Sequence, residues 1–294
     1  MKNHFFTGLL SALLFGLSTP LSKMLVQGTS PLALAGIYYF STALAVLPFI
    51  FRNLPSEIQK LKKSKKDLWM LSGSLLFGGI LAPIFLLYGL KLTSATSASL
   101  LMNVEPVATT LIAYFLFKEI IHRKDWLGAL GIVLAGILLI FEKNWIPSLG
   151  GVFIILSTFG WGFDNNFTAN IRAITPVTNT FFKGLAGGLC NLTLAFFLKN
   201  NFPPTLYDFL GAIYVGTFCY GASILLYTIC ARRVGAFKSQ MIFASSPFWG
   251  VGLSLLLLKE HFSLQQALAT FLLIGSLGLI FGPLGIFGIR GKSL

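Results

Sequence analysis

Three ionisable side chains, Glu105, Asp164 and Lys183, stand deep inside apolar runs of this sequence. A charge in hydrocarbon is costly, so residues kept there face a bundle interior, line a polar pathway or pair with one another. Glu105 has no basic residue one helical turn away on either side and directly precedes Pro106. Its carboxylate is therefore expected to point into a cavity, where it can bind a ligand or take up a proton. Asp164 lies eight residues before Arg172, and Lys183 seven residues after Pro176. At helical rise both sit about 11 Å from the same membrane face, so adjacent antiparallel helices would bring them level. An ion pair is expected, with Asn165 and Asn166 as further hydrogen-bond partners. Such a pair either fastens two helices or belongs to a substrate or ion pathway, and burial alone does not decide between the two. Asn103, Ser245, Ser246, Trp161 and Tyr88 complete the candidate substrate- or ion-binding set. The first three place short polar groups close to Glu105 and to Pro247, and the two rings are candidate cavity walls, although membrane aromatics more often pack or anchor at interfaces. Lys23 and Lys238 lie near span ends, within reach of the interface for a long side chain.

The elements that must position these residues follow from composition. With 55% hydrophobic and 11% charged residues and a mean hydropathy of +0.80, the chain is too apolar for a soluble globular protein and reads as an all-α polytopic membrane protein. A spanning helix takes about 20 apolar residues. Runs bounded by Pro, Gly, Asn or basic clusters give ten of them, at 4–26, 31–51, 68–90, 95–117, 126–142, 149–171, 177–198, 206–230, 236–258 and 264–287. The first run lacks a small-x-small cleavage site and is taken as an uncleaved span. With the N-terminus inside, Lys2, the basic residues from Arg52 to Lys66, Lys118, Arg123, Lys124, Arg172, Arg232, Arg233, Arg290 and Lys292 share the cytoplasmic side. Only Lys91, Lys143, Lys199 and Lys259 fall opposite. The formal charge of +13 is thus read as topology in the cytoplasmic membrane, with both termini cytoplasmic, and not as affinity for nucleic acid. The run Lys60 to Lys66 fits a solvated loop that sets orientation, with anionic lipid head groups as the alternative contact. Cys190, Cys219 and Cys230 have neither paired nor metal-ligand spacing, so no disulfide framework, metal or cofactor is expected.

The two halves resemble each other, which is the mark of a repeat architecture. SATSASLLMNVEPVATTLIAYFLFKE from Ser94 aligns without gaps to GAFKSQMIFASSPFWGVGLSLLLLKE from Gly235, so that Pro106 falls on Pro247, Lys118 on Lys259 and Glu119 on Glu260. Further on, LLIF at 138–141 recurs as GLIF at 278–281. Residues 1–142 and 149–287 then form two repeats of five helices, and an odd number inverts the second copy in the membrane. Inverted repeats are typical of secondary transporters, whose substrate site lies near the midplane between them. Pro106 and Pro247 sit about 15 Å into their spans at 1.5 Å per residue. Each removes a helix hydrogen bond there, and both are candidate gating or helix-bending residues.

On these elements the sequence resembles the EamA-type branch of the drug/metabolite transporter superfamily across nearly its whole length. The resemblance rests on EPVATTLIAYFLFKE and SPFWGVGLSLLLLKE, on FGLSTPLSK ending at Lys23, and on the ten-span layout. Within the branch it is most similar to a group with W-G-x-D-N-N at Trp161 to Asn166, L-L-x-N-x-E at Leu100 to Glu105 and K-G-L at Lys183 to Leu185. The family's usual Leu-Gly-Glu departs here to Phe-Lys-Glu and Leu-Lys-Glu, at helix ends whose role is structural. The resemblance implies two inverted five-helix repeats around a central cavity and transport of a small metabolite, often as export. A secondary transporter of a small polar or amphipathic metabolite, such as an amino acid or related compound, is the expected function. Its partners are that substrate, the lipid bilayer and a coupling proton at Glu105 or Asp164; nothing in the sequence fixes an oligomeric state. The rival readings are an intramembrane enzyme and a non-transporting sensor or subunit. HExxH, GxSxG and Walker motifs are all missing, and a sensor has no need of mid-depth charges in a repeat.

Single cysteines at Ser64 and Asn144 in a cysteine-free background should react with impermeant reagents from opposite sides of the membrane, Ser64 from the cytoplasm. Labelling of both from one side would refute the ten-span layout.

Overall fold

The computed structural model describes residues 2–118, 123–140 and 148–281. Glu119, Lys143, Asn144, Arg290 and Lys292 lie outside the described residues, and so do the side chains of Lys2, Arg123, Lys124 and Lys238. Every regular element among the described residues is helical. In order they are α1 Lys2–Leu25, α2 Pro31–Ile50, α3 Leu54–Lys63, α4 Lys65–Ser74, α5 Ala82–Leu92, α6 Ala95–Leu101, α7 Glu105–Phe117, α8 Arg123–Ile140, α9 Leu149–Asn170, α10 Pro176–Phe197, α11 Leu206–Tyr214, α12 Ser223–Val234, α13 Ala236–Phe243, α14 Ser246–Leu258 and α15 Leu264–Phe281.

Among the described residues six stretches are long and apolar enough to cross a membrane: His4–Leu25, Pro31–Ile50, Lys65–Leu92, Ala95–Phe117, Pro176–Phe197 and Leu206–Val234. Trp126–Leu139, Ser246–Leu258 and Leu264–Ser276 are shorter apolar helices. α9 has the length of a span, but Asp164, Asn165, Asn166 and Asn170 make it more polar. The fold is inside out relative to a soluble protein. Phe49, Phe196, Phe197, Leu256 and Phe271 are exposed, whereas Asn103, Asn166, Asn179, Asn191 and Thr180 are fully buried. Hydrocarbon offers polar groups no partner, so they turn inward.

Small residues set the closest helix contacts, as expected where dispersion and not water drives association. α2 packs along α10. A Cβ on Gly184 would lie 2.7 Å from the Tyr39 carbonyl oxygen, and one on Gly188 2.6 Å from the Phe40 backbone. The small-xxx-small spacing of these two glycines on α10 is thus the seam of the α2–α10 pair. α8 lies against α15 in the same manner of pairing.

The departures from ideal helix come in twos. A π-helical turn, Leu75–Leu81, joins α4 to α5, and another, Val215–Ala222, joins α11 to α12. The span holding Pro106 breaks at a 3-10 turn, Met102–Val104, and the one holding Pro247 breaks at a turn over 244–245. Each proline occupies the first turn of the helix that resumes, where its missing N–H costs nothing. Lys118 and Lys259, which the sequence alignment pairs, both end their helices in the left-handed conformation, at φ 57° and 51°. Contacts are doubled as well: α1 packs on α12 and α14, and α9 packs on α5 and α7.

Replacing Gly188 with Ala should overpack the α2–α10 seam and cost about 1–3 kcal/mol. A lower melting temperature of the purified protein would register this, and an unchanged one would show that the two helices can separate freely.

Candidate functional site

α9 carries Asp164 and Asn165 side by side and turns them towards two different polar clusters. Towards α10, Asp164 forms the one ion pair found among the described residues, its Oδ1 and Oδ2 each 2.8 Å from Lys183 Nζ. Lys183 Nζ also donates to Thr168 Oγ1 at 3.1 Å. Thr168 and Ser74 in turn donate to Asp164 Oδ1, at 3.0 and 2.5 Å. Both charged side chains are buried, so this saturation by short hydrogen bonds is what makes the pair tolerable. The π-helical turn makes room for it, because a Cβ on Gly78 would lie 2.2 Å from the Asp164 carboxylate. Tyr39 on α2 donates to the Gly78 carbonyl at 2.6 Å and holds that turn in place.

Towards α7 and α13, Asn165 Nδ2 donates to Glu105 Oε1 at 2.9 Å. Gln240 Nε2 reaches the same oxygen at 3.1 Å, and Tyr227 donates to Gln240 Oε1 at 3.1 Å. Thr109 Oγ1 stands 3.2 Å from Asn165 Nδ2. Four segments therefore meet at one carboxylate: α7 with Glu105 and Thr109, α9 with Asn165, α12 with Tyr227 and α13 with Gln240. Between the two clusters lies a small, partly open cavity of about 40 Å³. Glu105, Asp164, Asn165 and Lys183 line it together with Trp161, and Phe15, Tyr39, Tyr227 and Phe243 add aromatic wall. The rings are mutually packed, Phe15 edge-on to Trp161 at 5.3 Å between centroids and Tyr227 edge-on to Phe243 at 5.2 Å.

Other sequence candidates stand apart from this cavity. Ser246, Pro106 and Pro247 line a smaller one that also touches Glu105. Asn166 donates to the Thr109 and Gly162 carbonyls and ties α9 to α7. Asn103 and Ser245 donate within their own segments, to the carbonyls of Leu100 and Ile242, and Tyr88 packs near Phe153 with 6.0 Å between ring centroids. Gln240, Ser74, Thr168 and Thr109 had no sequence signal beyond being polar residues in apolar runs. Among the described residues no group of three or more His, Cys, Asp or Glu is placed to hold a metal ion.

Charged side chains also close both ends of the helix bundle. On one side Lys23 donates to the Leu90 and Thr93 carbonyls at 2.7 and 2.6 Å, capping the end of α5. Beside it Glu260 accepts from the Ala95 and Thr96 amides, both at 2.8 Å, at the start of α6. On the other side Asp67 accepts from Ala173 N at 2.9 Å, Glu57 from Thr175 N at 2.8 Å, and Arg232 donates to the Ile174 carbonyl. Lys23, expected near a span end within reach of the interface, spends its ammonium on that helix end.

The sequence matches the EamA-like transporter family twice, over residues 4–141 and 148–282. An uncharacterized transporter of Methanothermobacter thermautotrophicus is 27% identical, with 90% of this chain and 82% of that protein aligned. Protein LicB of Haemophilus influenzae is 24% identical over 93% of this chain and 95% of its own. A solved crystal structure superposes with a TM-score of 0.71 at 16% identity, covering 95% of this chain and 96% of that one, which shows a shared fold. The chain belongs to the EamA-like transporter family and is an integral membrane transporter.

Breaking the ion pair from one side should be far worse than removing it whole. Lys183→Met alone leaves a buried carboxylate unpaired and should cost about 3–5 kcal/mol, whereas Lys183→Met with Asp164→Asn should recover most of that loss. Melting temperatures of the purified variants read this directly; a single mutant as stable as wild type would mean that water reaches the pair.

Proposed function

We propose that this chain is a secondary transporter that carries a small polar or amphipathic metabolite, in the manner of an amino acid or related compound, outward across the cytoplasmic membrane by alternating access. In this reading ten spanning helices form two inverted five-helix repeats, 1–142 and 149–287, with both termini cytoplasmic. The doubled π-helical turns, the doubled breaks ahead of Pro106 and Pro247, and the exchange of partners between α1 and α9 support that arrangement. So does a family match that begins again at residue 148. Broken helices flanking a midplane cavity are how such carriers expose polar groups to a substrate.

The observation that carries the proposal is the partly open cavity between the broken spans, walled by Trp161 and by the Asp164–Lys183 pair, with the Glu105 carboxylate at its edge. Substrate- and ion-binding roles go to Glu105, Asp164, Asn165, Lys183 and Trp161, with Pro106 and Pro247 as the points where the spans bend. Glu105 is the coupling group of choice. It has no cationic partner among the described residues, so proton uptake there would remove a charge that hydrocarbon penalises, and its hydrogen bonds reach α9 and α13, the latter leading directly into the second break.

A metabolite panel screened by ligand-induced stabilisation supplies a substrate for proteoliposome assays. Glu105→Gln keeps the side-chain volume and an oxygen for Asn165, so it should express normally and yet transport poorly or lose its response to a pH gradient. Transport equal to wild type at every pH would take Glu105 out of the coupling site.

A further inference from the structure

Hydrogen bonds in the cavity are unevenly spent. An ammonium group has three protons, and Lys183 uses all of them on Asp164 Oδ1, Asp164 Oδ2 and Thr168 Oγ1. Asp164 accepts from Ser74 and Thr168 besides. The ion pair is therefore neutral and closed, and Lys183 has no proton left for a ligand carboxylate. Glu105 differs. Its Oε1 accepts from Asn165 and Gln240, while its Oε2 has no hydrogen bond among the described residues. Asn165 Oδ1 is likewise unspent, and Asn165 Nδ2 has its two protons committed among Glu105, Thr109 and Gln240. Acceptors are in surplus at the cavity wall, and the charges that line it, Glu105, Asp164 and Lys183, sum to one negative.

We propose that the cavity takes a small organic amine in its protonated form. The ammonium brings the protons that Glu105 Oε2 and Asn165 Oδ1 lack, and it cancels the one carboxylate charge left unpaired among the described lining residues. Trp161, Phe15 and Phe243 offer aromatic, apolar surface to the rest of the molecule, a setting that favours a desolvated cation. A ligand carboxylate contributes nothing here, because Lys183, the one cation among the described lining residues, is spent. This narrows the substrate class within the transporter reading, and it rests on that reading's assignment of the cavity.

Thermal stabilisation of the purified full-length protein in detergent tests this with four probes of similar size: phenethylamine, 2-phenylethanol, phenylacetate and phenylalanine. Phenethylamine at millimolar concentration should raise the melting temperature, with the alcohol and the acetate without effect and the zwitterion at least about tenfold weaker by midpoint concentration. Glu105→Gln should abolish the response to the amine. The ranking in wild type is decisive even if that variant does not fold. A larger shift with phenylacetate or phenylalanine would overturn the proposal and mean that Lys183 releases Asp164 for a ligand carboxylate. An equal shift with the alcohol would reduce the site to apolar burial, and no shift with the amine would reject the class. None of these failures touches transport itself, which the pH-gradient assay judges without reference to any of the four probes.

Discussion

A polar group carried into hydrocarbon must find its partner inside the protein, and most of this structure follows from that constraint. The ion pair of Asp164 and Lys183 is its strongest expression. Both side chains are nearly sealed from solvent, and two hydroxyl groups, Ser74 on α4 and Thr168 on α9, close around them. The closure has requirements of its own. α9 must run close enough to the π-helical turn for Asp164 to occupy the space beside Gly78, and α10 must approach α2 through glycine to bring Lys183 level. Once α9 is fixed in that way, Asn165 has one orientation available, and it faces Glu105. The two clusters are one residue apart on a single helix, so a change in either is felt by the other.

What the sequence made legible and what it hid divide along helix regularity. Where a span is one unbroken α-helix, counting residues from its ends gives depth. Asp164 on α9 and Lys183 on α10 were placed level by that count alone, and they meet at 2.8 Å. Where a span is interrupted, counting fails. α13 ends at the break over 244–245, and Gln240 on it meets Glu105 across a geometry that no periodicity announces. Tyr88 follows a π-helical turn, which puts the residues beyond it out of phase with those before, and it faces Phe153 instead of the cavity. Proline signalled both breaks, because it cannot donate to the preceding turn. The π-helical turns carry no such residue; Gly78, Gly79 and Gly216 only permit them. The basic segment 52–66, read as a loop, is largely helical in α3, whose Leu61 is buried against Met70, Leu71 and Phe167. Its many lysines masked the apolar stripe on the inner side.

The contacts at the two ends of the bundle have a different character from those at its centre. At the centre, side chain meets side chain, and each member depends on the identity of the others. At the ends, Lys23, Glu260, Glu57, Asp67 and Arg232 all bind main-chain groups: the carbonyls of Leu90, Thr93 and Ile174 and the amides of Ala95, Thr96, Ala173 and Thr175. Every residue but proline offers both a carbonyl and an amide, so these closures ask for a side chain on one partner only. The connecting segments they grip are free to drift in sequence while the closures stay intact, and the evolutionary burden of keeping the ends shut falls on those five charged positions, whereas the centre can change only in concert.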